Sequence, residues 1–328
     1  MPLLKVAVVG LGTMGGRYAE VLATGRYAGA ELDSVCDIDG ARAQRVALMY
    51  GVPGFGSVSE LLSARRPQAA YVATPDALHQ APGVALAEAG VPLLIEKPLA
   101  TTVADAEALA AAAERGGAPA EVNFSNRWNP PFVAARAAIE AGRLGEVIMV
   151  TARLNNVIAS PRDRLRWSGQ TTPAWFLMSH CLDLAHWLSG RAAESAYAAG
   201  HKGVLTGIGI DTYDYVHALI NYEGGVVGVF ESTWVLPESH PSPIEFEFRV
   251  VGTHGALTVD TTEQMIRVES DVVTYPQVLA WAPERFASFV RNVHGENAPR
   301  VPLAAGVENT RTLVAIHRSL ESGAVEPV

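Results

Sequence analysis

LKVAVVGLGTMGGRYAEVLA, residues 4–23, is the stretch on which the fold turns. Residues 4–9 form a short, β-rich apolar run that passes directly into Gly10-Leu11-Gly12-Thr13-Met14-Gly15, and residues 17–23 then have helical character. A glycine triplet alone is weak, but strand, turn and helix in this order give each glycine a task. Gly10 permits the tight turn, Gly12 lets the backbone approach a pyrophosphate, and Gly15 lets helix and strand pack closely, with the helix N-terminus facing the anion. Thr13 and Met14 belong to the same dinucleotide-binding turn. The second strand, residues 31–36, ends in Asp37, 22 residues beyond Gly15, where an acidic side chain hydrogen-bonds the adenosine ribose hydroxyls. A carboxylate there repels a 2′-phosphate, and the following Ile38 and Asp39 supply no arginine, so NAD is expected rather than NADP. Asp39 is the better placed cap for a helix over 41–50, while Arg42 is the side chain able to swing toward a phosphate.

Two further strands are expected at 69–73, ending in Thr74-Pro75, and at 92–95, ending in Glu96-Lys97-Pro98. Helical segments at 59–63 and 79–89 separate them, so the order is βαβαβαβ and the strands should be parallel. Ligands of such sheets bind beyond the carboxyl ends of the strands, which places Asp37, Thr74, His79 and Lys97 on one rim. A lysine closing a strand is commonly a solvated surface charge; on the ligand rim it is a working group.

With 328 residues, 49% hydrophobic and 18% charged, the chain can bury the cores of two ordinary domains. Its formal charge of −9 gives no basic face for nonspecific nucleic-acid binding. Cys36 and Cys181 are the only cysteines, too few and too far apart for a disulfide framework or cysteine zinc site, which suits a cytoplasmic protein. The first residues read as a strand entering a turn rather than as a cleavable leader, and no run reaches the ~20 apolar residues of a membrane span.

"GLGTMG", "VCDID", "YVATPDALH" and "EKPLA", in this order and spacing, resemble the Gfo/Idh/MocA oxidoreductases, NAD(P)-dependent dehydrogenases of sugars and polyols. "NFSNRWNPPF" followed by "IEAGRLGEVIMV" resembles that family's crossing into its second domain, and "SHCLDLAHWLSG" its active-site helix. "VVGTHGALTVD" and "PLAAGVENTRTLVAIHRSLESGAVEPV" resemble its last strand and terminal helix, so the likeness spans nearly the whole chain. It implies an α/β protein: an N-terminal Rossmann domain, 1–122, and a substrate-binding and oligomerisation α/β domain, 123–328, with a large, mostly antiparallel open sheet. The terminal helix is expected to pack back on the first domain. Independently, residues 147–154, 213–222, 226–233, 244–251 and 265–269 have β-rich or alternating character, with a turn at Glu223-Gly224-Gly225.

By the resemblance, Lys97 faces the nicotinamide, where an ammonium stabilises a developing alkoxide or passes a proton, and the Lys97–Pro98 bond is cis. Ile38, Pro75 and Glu96 join the expected cofactor contacts. A helix over 176–188 puts His180, Asp183, Leu184 and Trp187 along one face. His180 matches the histidine of the family's Asp-x-x-x-His-x-x-Asp pattern and is read as the base; Asp183 matches the second aspartate, either orienting or structural. Phe176 stands where the pattern has its first aspartate, which makes the pocket more apolar. In the loop "SPRDRLRWSGQTTPAW", Arg162, Arg164 and Arg166 either hold an acidic sugar or form a solvated charge run with Asp163, the latter for at least two of the three. Arg166 is carried forward as the substrate contact. Trp167 and Trp175 stack on a sugar ring or belong to the core. Asn126, Arg127 and Trp128 lie near the substrate by resemblance, Arg127 equally as a structural clamp. His186 and His217 read as structural, and no catalytic metal is expected.

The implied reaction is NAD-dependent oxidation of a secondary hydroxyl of a sugar, inositol or related cyclic polyol. Hydride passes to nicotinamide C4, His180 takes the proton and Lys97 holds the oxygen. Alternatives are an NADP-dependent keto-sugar reductase, an enzyme that keeps its cofactor between two sugars, and a non-enzymatic NAD-binding regulator. A homodimer or homotetramer is expected through the second-domain sheet, whose strands, such as 226–230, are apolar.

Overall fold

The computed structural model describes residues 3–27, 29–260, 265–269, 273–274 and 284–328. They form two compact units. One contains the chain up to Phe124 and a later segment that ends at Thr310; the other starts at Ser125 and takes up the chain again from Arg311 to Val328.

In the first unit the chain runs β1 (Leu4–Val9), α1 (Thr13–Ala23), β2 (Ala30–Cys36), α2 (Gly40–Tyr50), β3 (Gly54–Phe55), α3 (Val58–Ala64), β4 (Ala69–Val72), α4 (Gln80–Glu88), β5 (Leu93–Ile95), α5 (Val103–Gly116) and β6 (Ala120–Val122). The six strands form one sheet in the order β3-β2-β1-β4-β5-β6, every pair parallel. Helices cover both faces of such a sheet, which is why β1, β4 and β5 read as near-continuous apolar runs rather than as alternations. Successive strands are added on one side of β1 and then, from β4, on the other. The crevice between the carboxyl ends of β1 and β4 is therefore the topological switch point. Four strands were expected here. The additional two, β3 and β6, have two and three residues, too few to show a period.

The second unit continues with α6 (Pro130–Glu140), β7 (Val147–Asn156), α7 (Ser179–Ser189), β8 (Ala193–His201), α8 (Val204–Gly207), β9 (Tyr215–Tyr222), β10 (Val226–Thr233), β11 (Ile244–Gly252), β12 (Ala256–Asp260), β13 (Met265–Glu269) and β14 (Val273–Thr274). Then come α9 (Glu284–Val293), in the first unit, α10 (Leu303–Ser322), within which the division falls, and β15 (Glu326–Pro327). Among the described residues the second sheet has nine strands, β14-β13-β12-β11-β7-β10-β9-β8-β15, antiparallel except where β10 lies parallel to β7. Strands β9 and β10 alternate: Val216, Ala218 and Ile220, with Val226 and Phe230, are buried in a core shared with Phe132 of α6 and Leu182 and Ala185 of α7. On the opposite face the register aligns exposed Tyr197, Leu219 and Val229 across β8, β9 and β10, with Met149 of β7 beside them. Strands β8, β14 and β15 were not foreseen.

The return of the chain completes the first core. Phe286, Phe289 and Val290 of α9 pack with Tyr18, Tyr71 and Leu94. Asn292 of α9 donates to Oε1 of Glu121 on β6 at 2.7 Å, while Oε2 of Glu121 meets no hydrogen-bond partner among the described residues. Burial pushes this carboxyl up from 4.5 to about 7. Folding then binds a proton that the unfolded chain has released between those two values, so stability falls as pH rises from 4.5 through 7 and is level above it. Ionisation of Glu121 costs on the order of 3 kcal/mol. Glu121→Gln is therefore expected to unfold at higher temperature than wild type at pH 8 and at a similar temperature at pH 5. Equal melting curves at pH 8 would show that the carboxylate is accommodated without cost.

Candidate functional site

In the first unit the glycine turn has the shape the sequence demands, and each glycine is needed for a different reason. Gly10 has φ +86°, and a Cβ on it would lie 2.7 Å from the Ala73 carbonyl and 2.8 Å from the Thr74 nitrogen. At Gly15 a Cβ would lie 1.7 Å from the Gly10 carbonyl oxygen, so α1 can approach β1 this closely only without a side chain. At Gly12 a Cβ would meet nothing within 4 Å: the outer side of the turn is open. Gly12 is also the N-cap of α1, which has no side-chain cap and no acidic residue in its first turn, so among the described residues no side chain caps its first N–H groups. An open cradle with a bare helix N-terminus fits a dinucleotide pyrophosphate. Thr13, Met14 and Ile38 are exposed beside it, Ile38 almost completely, and Thr74 and Pro75 are half-buried.

Asp37 is buried at the end of β2. Its Oδ2 accepts the Leu11 N–H at 2.7 Å and its Oδ1 the Asp39 N–H at 2.9 Å, while the Arg42 guanidinium donates at 3.2 Å. The same Arg42 nitrogen lies 3.5 Å from Oδ1, so these contacts use about all four acceptor positions of the carboxylate, and the long Arg42 contact is the one a ribose hydroxyl would replace. Arg42 does not swing free: Asp37 and Asp39 hold it at 3.2 and 3.3 Å. Asp39 also caps α2 by accepting the Arg42 N–H at 3.0 Å.

Lys97 follows β5, and its bond to Pro98 is cis. Burial pushes the Lys97 ammonium below the usual lysine range, against Asp76 and Glu96, which draw it up. Glu96 is itself buried. Its Oε1 accepts from the Tyr71 hydroxyl and from Asn123 Nδ2, and its Oε2 from the Lys97 N–H at 3.2 Å. Burial, with the Glu96 charge adding to it, holds the Tyr71 phenol well above its ordinary range, so Tyr71 remains a donor. Asn123 Nδ2 also reaches the Tyr18 hydroxyl at 3.3 Å. Tyr18, Tyr71 and Asn123 were not foreseen as parts of the site: tyrosines inside apolar runs read as core, and Asn123 as a boundary. The His79 ring is buried, with Nε2 2.9 Å from the Thr74 carbonyl oxygen and Nδ1 2.8 Å from that of Pro98.

In the second unit, the expected single helix over 176–188 is two elements. A π-helical turn, Ala174–Met178, carries Phe176, and α7 follows with half-buried His180 as its second residue. One turn on, Asp183 is buried, and both its oxygens are taken by Arg127, Nε at 3.0 Å and Nη2 at 2.7 Å. Burial pushes the Asp183 carboxyl up, against the pull of Arg127. Phe176 lies edge-on to Trp167 and to Trp234, with ring centroids 6.1 and 5.7 Å apart. Trp175 is buried and stacks on His317 at 4.7 Å, so that ring face is closed to a ligand. His317 is held at about 4 by burial and is neutral; its Nδ1–H donates to the Leu313 carbonyl at 2.7 Å. Its Nε2 accepts the Thr172 hydroxyl at 2.8 Å, and the Thr172 oxygen accepts the Trp175 N–H at 3.3 Å. This buttress of the π-turn comes from α10, and no local signal announced it. Arg162 is taken by Asp163 at 2.7 Å and Glu238 at 2.9 Å, whereas exposed Arg166 makes no ion pair among the described residues. Asn126 is half-buried and Trp128 buried in the turn Ser125–Trp128 that also carries Arg127. His186 bonds the Arg191 carbonyl at 2.9 Å, and exposed His217 lies edge-on to Tyr215.

Two family models match the chain. Residues 4–124 match the oxidoreductase family with an NAD-binding Rossmann fold, and residues 132–258 match the Gfo/Idh/MocA C-terminal domain. The chain is similar to the myo-inositol dehydrogenase Hyg17 of Streptomyces leeuwenhoekii, 36% identical over 77% of this chain and 76% of that one. It is 27% identical to the NAD(+)-dependent scyllo-inositol 2-dehydrogenase of Bacillus subtilis strain 168, over 79% and 74% of the two chains. Among solved structures it resembles the WlbA dehydrogenase of Bordetella pertussis in complex with NADH and UDP-GlcNAcA, with TM-score 0.83, 25% identity and 99% of each chain covered.

Proposed function

Because the chain belongs to the Gfo/Idh/MocA family and is an NAD-dependent oxidoreductase of CH–OH groups, we propose that it oxidises a ring secondary hydroxyl of an inositol or related cyclic polyol. One observation carries the reading: a single unit holds both a dinucleotide cradle open at Gly12 and, beyond the carboxyl end of β5, a half-buried lysine. Bound NAD supplies the hydride acceptor. From the first unit, Lys97 holds the negative charge that develops on the substrate oxygen, an interaction stronger in the transition state than in the ground state. From the second, the His180 imidazole accepts the hydroxyl proton, and Asp183 with Arg127 fixes the helix that presents it. Asp37 favours the free ribose of NAD over a 2′-phosphate, because its carboxylate is fixed by Leu11 and Asp39 and cannot turn away.

Absorbance of reduced nicotinamide, with NAD or NADP and a panel of inositols, neutral aldoses and uronic acids, tests this reading. Reduction of NAD by one or more inositols is expected, with NADP at least about tenfold weaker. Reduction of NADP in preference to NAD, or silence with every inositol, would remove it. A second reading, a carboxylated sugar, is favoured by exposed Arg166, which makes no ion pair among the described residues while Arg162 does. A uronic acid as the best substrate would select it.

The exposed row Tyr197, Leu219 and Val229 with Met149 forms the face we assign to contact between copies of the chain. Sedimentation is expected to show a dimer or tetramer at micromolar concentration, and Val229→Glu to shift it toward monomer. A wild-type monomer would discard the assignment.

A further inference from the structure

We propose that His79 is a positioning residue that ties the Lys97 turn to the glycine cradle. The inference rests on the reading of Lys97 and the cradle given above. The ring lies between two loops about twenty residues apart in sequence, both at carboxyl ends of sheet strands: the Thr74 loop after β4 and the Lys97–Pro98 turn after β5. Nε2 is 2.9 Å from the Thr74 carbonyl oxygen; Nδ1 is 2.8 Å from that of Pro98 and 3.3 Å from that of Leu99. His79 is 1% exposed, and carbonyl oxygens only accept, so the one N–H of an uncharged ring serves one of the two loops: Nδ1–H donating to Pro98, the shorter contact, ties the Lys97 turn to the segment that carries His79, while Nε2 lies against the Thr74 carbonyl.

What each loop touches gives the strut its meaning. The Thr74 segment is the wall of the cradle: Gly10 approaches Ala73 and Thr74 so closely that a Cβ would lie within 2.8 Å of the Thr74 nitrogen. Thr74 is held in turn by its hydroxyl, which donates to the Leu78 carbonyl at 2.9 Å. On the other side, the peptide of Lys97 is fixed from its N-terminal flank, where Glu96 accepts its N–H and is pinned by Tyr71 and Asn123. Proline has no N–H, so on the C-terminal flank the Pro98 carbonyl is the polar handle, and His79 holds it. One ring therefore sets the separation between cradle and lysine, a distance that must be right to within about 1 Å for proton or hydride transfer. The sequence reading had placed His79 among the cofactor contacts. The geometry gives it a different task, which a ligand contact would not require.

Three variants of the full-length protein test the strut: His79→Phe, which removes both ring nitrogens and with them the bond to Pro98, His79→Asn, whose amide nitrogen replaces Nδ1, and His79→Gln, whose amide nitrogen replaces Nε2. The chain has only three lysines, Lys5, Lys97 and Lys202, so protein labelled with 13C at lysine Cε gives three signals, and Lys97→Arg identifies the one of interest. In wild type the Lys97 signal is expected to titrate below the other two. In His79→Phe the turn loosens, water reaches the ammonium, and the midpoint rises by about half a pH unit or more, while the NADH dissociation constant changes less than about threefold. His79→Asn, which keeps the Pro98 bond, holds the midpoint closer to wild type than His79→Gln does. An unmoved Lys97 midpoint in His79→Phe overturns the proposal, as does a loss confined to NADH affinity, which would make His79 a cofactor contact. If His79→Phe does not fold, the other two decide: equal midpoints for Asn and Gln overturn it. None of these readouts depends on which polyol is the substrate. Failure of the catalytic reading of Lys97 would instead appear as undiminished turnover in Lys97→Ala.

Discussion

Replacement of Lys97 by alanine is expected to lower turnover by about 10² to 10⁴-fold, the range for loss of a positioned acid, base or charge. The residue follows β5 on the ligand rim and is half-buried, and burial draws its ammonium down, so its charge acts in a medium where each interaction is stronger than in water. NADH binding is expected to change little, because Gly10, Gly12, Gly15 and Asp37 form the cradle without Lys97. Lys97→Arg separates charge from geometry: it keeps a cation but replaces a compact ammonium with a planar fork, and most of the loss should persist. Burial lowers the pH at which Lys97 gives up its proton, so the alkaline fall in kcat/KM should lie below the ordinary lysine range. That limb should be absent in Lys97→Arg, whose guanidinium stays protonated. Turnover of Lys97→Ala within about threefold of wild type would take the lysine out of the reaction.

What could be read from the sequence follows physical range. The strand, turn and helix of residues 4–23 were legible because each signal is local: an apolar run, glycines at fixed offsets, then a helix. The steric demands found at Gly10 and Gly15 are the same ones the spacing implied. Strands of two or three residues, β3 and β6, carry no period and could not be seen. Strand β8, Ala-Glu-Ser-Ala-Tyr-Ala-Ala-Gly-His, is rich in small residues of weak β preference and takes its conformation from pairing with β9. Helix α9 was not foreseen: Phe286, Phe289 and Val290 give it an apolar face, but an amphipathic stripe does not say which core it enters, and it enters the first. Candidate residues were legible singly and not in their partnerships. Asp183 was marked, but its partner Arg127 lies 56 residues earlier. Trp175 was offered a sugar, and its ring is stacked on His317, which no spacing relates to it. The π-turn before α7 was hidden for a similar reason: one extra residue per turn leaves the composition unchanged, and the Thr172–His317 buttress from α10 holds it.

Arg127→Leu is expected to destabilise the protein by about 3–5 kcal/mol near pH 8, the cost of leaving one member of a buried ion pair alone. Arg127 and Asp183 have side-chain exposures of 6% and 2%, so water cannot take over the carboxylate when the guanidinium is gone. Desolvation already pushes the Asp183 carboxyl up, and Arg127 is the main group pulling it down. Without that pull its folded value rises further above the unfolded one. Folding then takes up a proton, and stability present at acid pH is lost as pH rises through the folded value. The penalty of Arg127→Leu should consequently shrink between pH 8 and pH 5. Asp183→Asn in the same chain removes the orphaned charge, and the double variant should recover about 2 kcal/mol or more relative to additivity. Activity should follow, because Asp183 sits one turn after His180 on α7, and a helix released at that point no longer presents the imidazole at a fixed distance. Denaturant unfolding of the four proteins at pH 5 and 8 measures the cycle. A coupling below about 0.5 kcal/mol, the same at both pH values, would mean that the fork holds neither the charge nor the helix, and that the presentation of His180 has another cause.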